Sequence, residues 1–425
     1  MLILFFIIFL LAIVIGLPVA WALGVSGLIA MPLMDLPLSI VPRKIFMGMN
    51  IYVLMCIPFF ILTGEIMARG GLTKRLLNFA VLLVGRIKGG LSLANVLASM
   101  LFGGITGSAV ADASALGSIE IPMMVENGYD ADFSAAITSA SACIGPIIPP
   151  SIPVVIYSMA VGGGVSIGAL FAAGIVPGIL VGVALMLACY IISKIRDYPR
   201  REQRVAIKDL LIGFKDAFLA LMTPIIILGG VIGGVFSPTE AGAIAVVYSF
   251  IISFFVYHEL KLSDLPSLFL RSGRTSAMVM IIIGTSSIFG MVIAYGQVGL
   301  KLGEFLKPMG YYGFILSVNI ILLIVGGFMD NNPAIIILAP IFAPIAARLG
   351  INPIHFGIIF VMNLIIGLIT PPLGEVLFVA APLAGISFEK VTKAVLPFMI
   401  IEIGVLLLVS YIPSISLWAP KILGF

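Results

Sequence analysis

The sequence predicts an all-α membrane protein made of two inverted-topology repeats, each with a re-entrant helical hairpin and a discontinuous helix. Three observations lead to this prediction. The composition suits a protein surrounded by lipid, the apolar runs have the length of membrane-spanning helices, and glycine and proline recur at matching positions in the two halves of the chain.

Composition excludes an ordinary water-soluble protein. Of the 425 residues, 61% are hydrophobic and only 10% are charged, and the mean hydropathy is +1.25. Soluble domains carry about 25% charged residues. Apolar runs near the ~20 residues that cross a bilayer recur from end to end. Because these runs are continuous rather than alternating, the spans are expected to be helices and not strands of a barrel.

The charge and the cysteines argue against two other classes. The net charge of +4 does not indicate a nucleic-acid partner, because the basic residues fall in loops, and no nucleic acid is expected. Cys56, Cys143 and Cys189 lie within apolar runs. That placement is typical of small buried packing residues rather than of a disulfide or a metal cluster.

An enzyme is not expected either. The segment Gly24-Val25-Ser26-Gly27 resembles the serine site of rhomboid-type proteases, but such a serine needs a histidine base within hydrogen-bond reach. The only histidines are His258, beside a charged loop, and His355, near a helix start, and the sequence has no His-Glu-x-x-His motif. An ion channel is a further alternative, which single-channel conductance would distinguish.

Charge distribution predicts the orientation in the membrane. Residues 1–42 contain no Lys or Arg. The densest basic stretch consists of Lys194, Arg196, Arg200, Arg201, Arg204 and Lys208. The positive-inside rule places this stretch in the cytoplasm and the N-terminus outside.

Two amphipathic stretches are predicted to lie at the membrane interface and to contact phospholipid. One follows the basic loop and the other precedes a long apolar run. Their apolar residues are Ile207, Leu210, Leu211 and Phe214 in the first, and Leu262, Leu265, Leu268 and Phe269 in the second.

The chain repeats itself at a constant offset of 222 residues. The matching pairs are Gly104 with Gly326, Pro122 with Pro344, Gly128 with Gly350, Gly145 with Gly367, Pro149 with Pro371, and Pro150 with Pro372. Glycine and proline fix unusual backbone geometry, so repeated positions imply a repeated backbone shape. Inverted repeats of this kind are typical of secondary transporters.

Each half follows one plan, with scaffold helices first, then a hairpin, then an interrupted helix. In the first half the hairpin spans about 91–124 with its tip at 103–108, and the helix 132–161 is interrupted at 145–150. In the second half the tip lies at 326–333, and the helix 353–382 is interrupted at 367–372. The hairpin arms are predicted to be too short to span the bilayer and therefore to re-enter it.

The interruptions predict cation sites. A proline pair removes two N–H donors from an apolar helix and leaves carbonyl oxygens without helical partners, at a cost of several kcal/mol each in hydrocarbon. Na⁺ prefers such hard oxygen ligands, so each half is expected to bind one Na⁺ between its hairpin tip and its helix break. Side-chain oxygens that can complete the two shells belong to Thr106 and Ser108, and to Asp330, Asn332 and Thr370.

The same breaks favour an anionic substrate. Half-helix N-termini present free N–H groups and positive dipole ends that attract a carboxylate. Acids expected within the membrane are Asp112, Glu120, Glu240, Asp330 and Glu375. The position of Asp112 also fits a cap of the second hairpin arm, and that of Glu240 fits a helix start. Asp330 lies at a tip and is ranked first.

Four motifs in order resemble the large membrane subunit of TRAP transporters (tripartite ATP-independent periplasmic transporters), over nearly the whole chain. They are Gly104-Ile105-Thr106-Gly107-Ser108 with Gly117-Ser118-Ile119, then 145–153, then Ser237-Pro238-Thr239-Glu240-Ala241, and then 363–374. The resemblance implies a multi-pass protein of the bacterial inner membrane and an elevator mechanism, in which a mobile transport domain slides against a fixed scaffold.

The resemblance also implies the domain division and the partners. The expected units are scaffold helices in 1–88 and 217–308, hairpins with broken helices in 89–195 and 309–425, and a cytoplasmic basic amphipathic connector in 196–216. The expected partners are a small four-helix membrane subunit of the Q type and a periplasmic substrate-binding protein. The expected substrate is an organic acid, and general likeness favours sialic acid over a C4-dicarboxylate.

Site residues follow from the tips, the breaks and this resemblance, which implies carbonyl ligands from Gly145, Ile148 and Pro150 and from Gly367, Thr370 and Pro372. The first Na⁺ site is assigned to Gly103, Thr106, Ser108, Gly145, Ile148 and Pro150, and the second to Gly326, Asp330, Asn332, Gly367, Thr370 and Pro372. Substrate contacts are assigned to Ser108, Pro149, Ser151, Asn332 and Pro371. The main alternative function is a stand-alone Na⁺/dicarboxylate symporter, which would need no partner.

Overall fold

The computed structural model describes residues 2–200 and 206–425, so the predicted basic residues Arg201 and Arg204 lie outside it. The described residues form helices and no β-strand. The α-helices are α1 Leu2–Val14, α2 Val19–Leu33, α3 Val41–Met49, α4 Cys56–Arg69, α5 Leu72–Val84, α6 Gly90–Thr106, α7 Ala109–Ala115, α8 Gly117–Glu126, α9 Ala131–Ala142, α10 Ile152–Ala160, α11 Ile167–Ile195, α12 Ile207–Ile232, α13 Pro238–Ile251, α14 Leu265–Tyr295, α15 Val298–Leu306, α16 Gly310–Gly326, α17 Asn331–Arg348, α18 Pro353–Gly367, α19 Glu375–Ala384, α20 Phe388–Tyr411 and α21 Pro413–Ile422.

The predicted hairpins and interrupted helices are confirmed. The first hairpin consists of α6 and the pair α7–α8, and the second of α16 and α17. The first broken helix is α9 with α10, separated by the proline pair, and the second is α18 with α19. Both proline pairs, Pro149-Pro150 and Pro371-Pro372, contain a cis peptide bond.

One prediction about the hairpins is wrong. Seven helical stretches of the described chain are long and apolar enough to cross a membrane, and one of them is the returning arm Asn331–Arg348. This arm is therefore not too short to span the bilayer, contrary to the prediction. Its tip is instead held by contact with the broken helix of the same half, which keeps the non-helical backbone inside protein, as a lipid environment requires.

The helices of the two halves correspond in order, and their packing repeats. Helix α2 packs on α14 as α13 packs on α4, α6 packs on α9 as α16 packs on α18, and α7 packs on α19 as α17 packs on α10. The Cys143 Sγ atom lies 3.6 Å from the Ile365 carbonyl oxygen. These two residues are separated by the repeat offset of 222, so their contact places them beside a two-fold axis that relates the halves.

The two halves have opposite orientations. Helices α4 and α14 are corresponding helices of the two halves and pack against each other. Arg69 at the end of α4 pairs with Asp264 just before the start of α14, so the two helices run in opposite directions. The six ion pairs among the described residues involve the end of α4, both ends of α5, the start of α9, the end of α11, the segments after α13 and before α14, and Asp216 within α12. We assign these helix ends to the cytoplasmic face by the positive-inside rule.

The predicted amphipathic stretches are not separate interfacial elements. Residues 207–214 form the first two turns of the continuous helix α12, and residues 265–269 begin the 31-residue helix α14. The helix α12 also runs across the expected boundary between residues 216 and 217. Ile207 and Leu211 are exposed in the first stretch, and Leu262 and Phe269 are exposed in the second, where Leu268 is fully buried. Both stretches therefore present apolar side chains to their surroundings.

The core joins both hairpins and both broken helices into one body. A single apolar cluster contains residues of both hairpins, of α9, α10, α18 and α19, and of the long helices α11 and α20. Helices α4, α12, α13 and α14 contribute residues to the same cluster. Smaller clusters join α1, α2 and α14 with α17, and α5 and α12 with α6. We call the hairpins, the broken helices, α11 and α20 the central body, and the helices from the start of each repeat pack against it.

Arg75 ties three of these flanking helices together at the cytoplasmic end. Its guanidinium lies 3.2 Å from Asp216, 2.6 Å from Glu259 and 3.7 Å from the centroid of the Tyr257 ring. Both carboxylates are partly exposed, which weakens each pair through solvent screening.

We expect Arg75→Gln to lower the free energy of unfolding by about 1 kcal/mol, because it removes two ion pairs and a cation–π contact. Thermal unfolding of the detergent-solubilised protein, followed at low and high salt, measures this loss, which should shrink as salt rises. Arg86→Gln is the matched control, since Arg86 makes no ion pair with any described residue. Equal losses in the two variants would contradict the assignment.

Candidate cation and anion site

The first hairpin tip is pressed against the break of its own half. A Cβ atom on Gly103 would collide with the Gly145 backbone, and one on Gly107 would lie 3.1 Å from the Pro150 carbonyl oxygen. Only glycine allows the tip of the hairpin, where α6 ends, and the break of the helix to touch. The predicted approach of tip to break is therefore present in the first half, through Gly103; the surroundings of Gly104 lie outside the described part of the structure.

Asp112 belongs to this contact and does not cap the arm. The cap is Ser108, whose hydroxyl accepts a hydrogen bond from the Ala111 N–H group at 3.4 Å. Asp112 is fully buried, and one of its carboxyl oxygens accepts a hydrogen bond from the Thr106 hydroxyl. The other oxygen lies against the Gly145 Cα and has no partner among the described residues. The first site thus contains a carboxyl oxygen without a protein partner.

The first break is held by the glycines of α11. A Cβ atom on Gly174 would lie 2.5 Å from the Ile147 carbonyl oxygen, and one on Gly178 would collide with the Ile148 side chain. Within the described chain, no donor reaches the carbonyl oxygens of the three predicted ligands Gly145, Ile148 and Pro150. Packing against α11 therefore fixes the break while leaving these oxygens free.

The second half repeats the tip-to-break contact. A Cβ atom on Gly367 would lie 2.5 Å from the Gly326 Cα atom. The Leu373 N–H group donates a 3.1 Å hydrogen bond to the Gly327 carbonyl oxygen, which ties the segment after the break to the tip. The Gly367 carbonyl accepts one bond, from the Thr370 N–H group, at 2.9 Å. It keeps a second lone pair.

Polar side chains gather at the second tip. Asn332 donates a 3.4 Å hydrogen bond to Asp330, and its own carbonyl oxygen is buried without a partner in the described structure. The Thr370 hydroxyl donates to the Ile366 carbonyl at 2.9 Å, so its lone pairs are available. Glu375 begins α19 and lies close enough to Asp330 for their charges to interact.

The two sites differ in exposure. Gly145, Pro149 and Pro150 of the first break are buried, whereas Thr370 and Pro371 are half-buried and Pro372 is exposed. The sequence repeat alone predicts equal surroundings for the two breaks. In the first half, α11 packs on the break through Gly174 and Gly178, and scaffold helix α4 covers the tip, where Gly64 contacts Thr106.

The substrate assignments have a mixed outcome. Ser108 and Asn332 lie at the tips, and Pro371 is half-buried beside the second. Ser151 is fully buried and its hydroxyl caps α10 and donates to the Pro146 carbonyl at 2.5 Å. That hydroxyl therefore has a structural role here, and contact of Ser151 or the buried Pro149 with substrate stays a prediction.

The other acids fall outside the sites. Glu240 forms a capping box with Ser237 at the start of α13, as its position predicted. Glu120 lies on α8 and is fully buried, with no described partner for either oxygen.

Sequence reasoning missed Asp112 as a site residue. The available signal was its spacing, four residues after the cap residue Ser108, which turns it back towards the tip.

The oxygen atoms that could coordinate a cation in the two halves suit a hard cation. They are backbone carbonyls, threonine hydroxyls that donate elsewhere, one orphaned carboxyl oxygen at Asp112 and one orphaned amide oxygen at Asn332. Among the described residues no three His, Cys, Asp or Glu side chains converge as for a transition metal. An oxygen-only shell of this kind fits Na⁺ and does not favour Zn²⁺ or Cu²⁺.

The helix termini favour an anion near the same tips. Helices α10, α17 and α19 all begin at a break or a tip, and α17 packs on α10 while α19 packs on the first hairpin. The positive ends of their dipoles therefore lie in one central region. A carboxylate bound there would gain from these dipoles and from nearby cations.

The sequence matches the DctM component of the tripartite ATP-independent periplasmic transporters over residues 6–415. It is 43% identical to the C4-dicarboxylate TRAP transporter large permease protein DctM of Pseudomonas aeruginosa, covering 95% of this chain and 94% of that one. It is 37% identical to the sialic acid TRAP transporter large permease protein SiaM of Vibrio cholerae, covering 96% of each.

Two further similarities bear on architecture. The chain is 40% identical to the isethionate TRAP transporter permease protein DctMQ of Oleidesulfovibrio alaskensis, with 96% of this chain matching 65% of that longer protein. Its fold resembles the YdaH transporter of Alcanivorax borkumensis, with a TM-score of 0.59 at 16% identity over 87% of this chain and 86% of that one.

These relatives are transporter permeases and not enzymes, in agreement with the sequence prediction. Together with the apolar helices, they show a multi-pass protein of the bacterial inner membrane. The chain belongs to the DctM family, the large membrane permease component of the tripartite ATP-independent periplasmic transporters.

Proposed function

We propose that the chain imports an organic acid together with Na⁺, and that its central body carries both ligands across the membrane as an elevator. The observation that carries this proposal is the twinned tip-to-break contact, Gly103 on Gly145 and Gly326 on Gly367. Beside each contact lies a buried side-chain oxygen that has no hydrogen-bond partner among the described residues, that of Asp112 in the first half and that of Asn332 in the second. Buried unpaired oxygens are costly, and Na⁺ relieves that cost in both halves by the same chemistry.

The coupling follows from charge. Two Na⁺ ions bound beside the tips place positive charge next to the N-termini of α10, α17 and α19, which already favour an anion. The acid then binds well only when the cations are present, and the cations gain when the acid is present. This mutual dependence couples uptake of the acid to the Na⁺ gradient.

Rigid movement is supported by the packing. Both hairpins and both broken helices share one apolar cluster, to which the scaffold helices α4, α12, α13 and α14 also contribute. The proposed movement therefore takes place along the apolar contacts between the central body and these scaffold helices. A body of this kind can slide as a unit because its internal contacts are extensive, and such packed interfaces switch between discrete arrangements.

The proposed partners are a small membrane subunit and a periplasmic binding protein that delivers the acid. Family membership supports both, and the relative DctMQ is a longer permease of the same family. The exposed apolar face of α12, with Ile207 and Leu211, supports contact with phospholipid or with the small subunit.

The substrate class is a carboxylate or a related small organic anion. Relatives of comparable identity are named for C4-dicarboxylates, for sialic acid and for isethionate. Of these, we propose a C4-dicarboxylate or sialic acid, since the shared chemistry is an anionic group beside helix N-termini. The identity to the C4-dicarboxylate permease, 43%, is higher than that to the sialic acid permease, 37%, so we do not rank sialic acid first.

Reconstitution of the chain with its small subunit in proteoliposomes tests the proposal. Labelled succinate, sialic acid and isethionate are offered under an inward Na⁺ gradient, with and without the periplasmic binding protein. We expect uptake of one acid only when Na⁺ and the binding protein are both supplied. Uptake driven equally by K⁺ would reject Na⁺ coupling, and uptake by this chain alone would favour the stand-alone symporter.

A further inference from the structure

The first hairpin tip sits on a glycine of scaffold helix α4. A Cβ atom on Gly64 would lie 2.9 Å from the Thr106 Cγ2 atom and 3.3 Å from the Thr106 Cα atom. Only a glycine therefore lets the tip come this close. Gly64 is five residues before the end of α4 at Arg69, which places the tip roughly 8 Å from the cytoplasmic end of that helix.

Helix α14 carries the same pattern in the other repeat. At an offset of 226, since 290 minus 64 is 226, the residues Gly64, Ala68 and Gly70 recur as Gly290, Ala294 and Gly296. Packing supports this register independently. Gly242 of α13 lies against Phe59 of α4, and Gly24 of α2 lies against Thr285 of α14. When Gly24 and Gly242 are taken as corresponding residues, the difference between 285 and 59 is again 226, which agrees with Gly64 and Gly290 as equivalent positions.

The surroundings of these two glycines differ. A Cβ atom on Gly290 would meet no atom of the described residues within 4 Å. Gly290 instead lines a cleft of about 180 Å³ between the scaffold and the central body, together with Ser287, Met159 and Pro340. Phe328 precedes the start of α17 by the same number of residues as Thr106 precedes the start of α7. Phe328 is 59% exposed. The second tip thus lacks the glycine contact that the first tip makes.

We propose that Gly290 is the contact point for the second hairpin tip in the opposite transport state, as Gly64 is for the first tip in this one. This inference rests on the proposed elevator movement. Both tips belong to one body, so seating the second tip on Gly290 lifts the first tip away from Gly64. The two glycines then stabilise alternate ends of the same movement.

The distance to be travelled can be read from α17. Ile337 and Ile341 now share an apolar cluster with Ile288 and Ile293 of α14, the turns on either side of Gly290. Phe328 must reach the level that these residues occupy. At 1.5 Å per residue, the body would slide by roughly 15 Å towards the periplasm.

Gly290→Val tests the contact point. The present structure has room for the new side chain, so folding should be retained, whereas the second tip can no longer approach. We expect Na⁺-driven uptake to fall at least ten-fold, while Na⁺ still raises the thermal unfolding temperature as in the unaltered protein. Gly273→Val is the matched control, because Gly273 lies on the same helix and also has no atom within 4 Å of a Cβ position.

A cross-link gives a second readout that does not depend on uptake. Cysteines replace Gly290 and Phe328 in a chain whose Cys56, Cys143 and Cys189 are changed to alanine. We expect oxidation in membranes to join the pair and to stop transport until reductant is added. The pair of Gly273→Cys with Phe328→Cys should not join.

These outcomes separate the inference from the proposed function. If uptake is Na⁺-driven, yet Gly290→Val transports normally and the Gly290–Phe328 pair does not join, the contact point is wrong and the function stands. If the pair joins but uptake does not require Na⁺, the contact point stands and the proposed coupling fails.

Discussion

Replacing Asp112 with asparagine is expected to raise the Na⁺ concentration for half-maximal uptake by about 10- to 100-fold. Asp112 is fully buried beside Gly145, with one oxygen that finds no partner among the described residues. Asn keeps the shape and the acceptor for Thr106 but removes the negative charge. Hydrogen bonds and ion contacts to a charged group contribute about 1.5–3 kcal/mol, which corresponds to this range.

Sodium-dependent uptake by proteoliposomes measures this effect, and Na⁺-dependent thermal stabilisation measures binding directly, since a ligand that binds only the native state stabilises it. Glu240→Gln is a suitable control, because that carboxylate caps α13 at an exposed position far from both breaks. If Asp112→Asn transports with unchanged Na⁺ dependence, the carboxyl is a neutral packing group and the first site lacks its proposed anionic ligand.

Replacing Gly367 with alanine is expected to abolish Na⁺ binding at the second site and to reduce uptake at least ten-fold. The added methyl would lie 2.5 Å from the Gly326 Cα and carbonyl carbon atoms. Backbone atoms cannot turn away as a side chain can, so the tip must separate from the break. Overpacking of this kind costs about 1–3 kcal/mol in stability, and it also spreads the oxygen atoms that would surround the ion.

Gly404→Ala is the matched control for this variant. Gly404 lies on α20 of the same half, and a Cβ atom there would meet nothing within 4 Å. Its replacement should leave transport unchanged and add up to about 1 kcal/mol of helix stability. Thermal unfolding with and without Na⁺ distinguishes the two variants. Normal Na⁺ stabilisation in Gly367→Ala would show that the close contact with Gly326 does not shape a cation site.

Much of the fold could be predicted from local sequence. The hairpin at 91–124 and the helix breaks at 145–150 and 367–372 lie at the positions that glycine and proline predicted. These residues restrict or free the backbone at their own positions. The repeat offset of 222 could also be predicted, because a repeated backbone shape requires glycine and proline at repeated positions. The two predicted amphipathic stretches prove to begin longer helices, because hydrophobic periodicity shows which face is apolar without showing whether a helix ends or continues. Their position at the membrane interface stays a prediction.

The sites could be predicted only in part. The tip and break residues were found because unpaired carbonyls follow directly from the proline pairs. Asp112 was read as a possible cap, since its sequence position suits one, and only the structure shows that Ser108 fills that role. The repeat offset of 222 matches Gly326 with Gly104, but the residue that contacts Gly145 is Gly103, one position earlier. The turn at the first tip thus differs in length by one residue, while the arms keep the offset.

The sequence by itself determined the membrane class, the twofold repetition and the position of each non-helical segment, because these depend on composition and on the backbone limits of single residues. Tertiary structure alone decided which tip is covered and which is open. Gly64 and Gly290 are equivalent in sequence, yet one contacts a tip and the other lines a cleft. That difference depends on where the central body lies against the scaffold, and a repeated sequence permits either position.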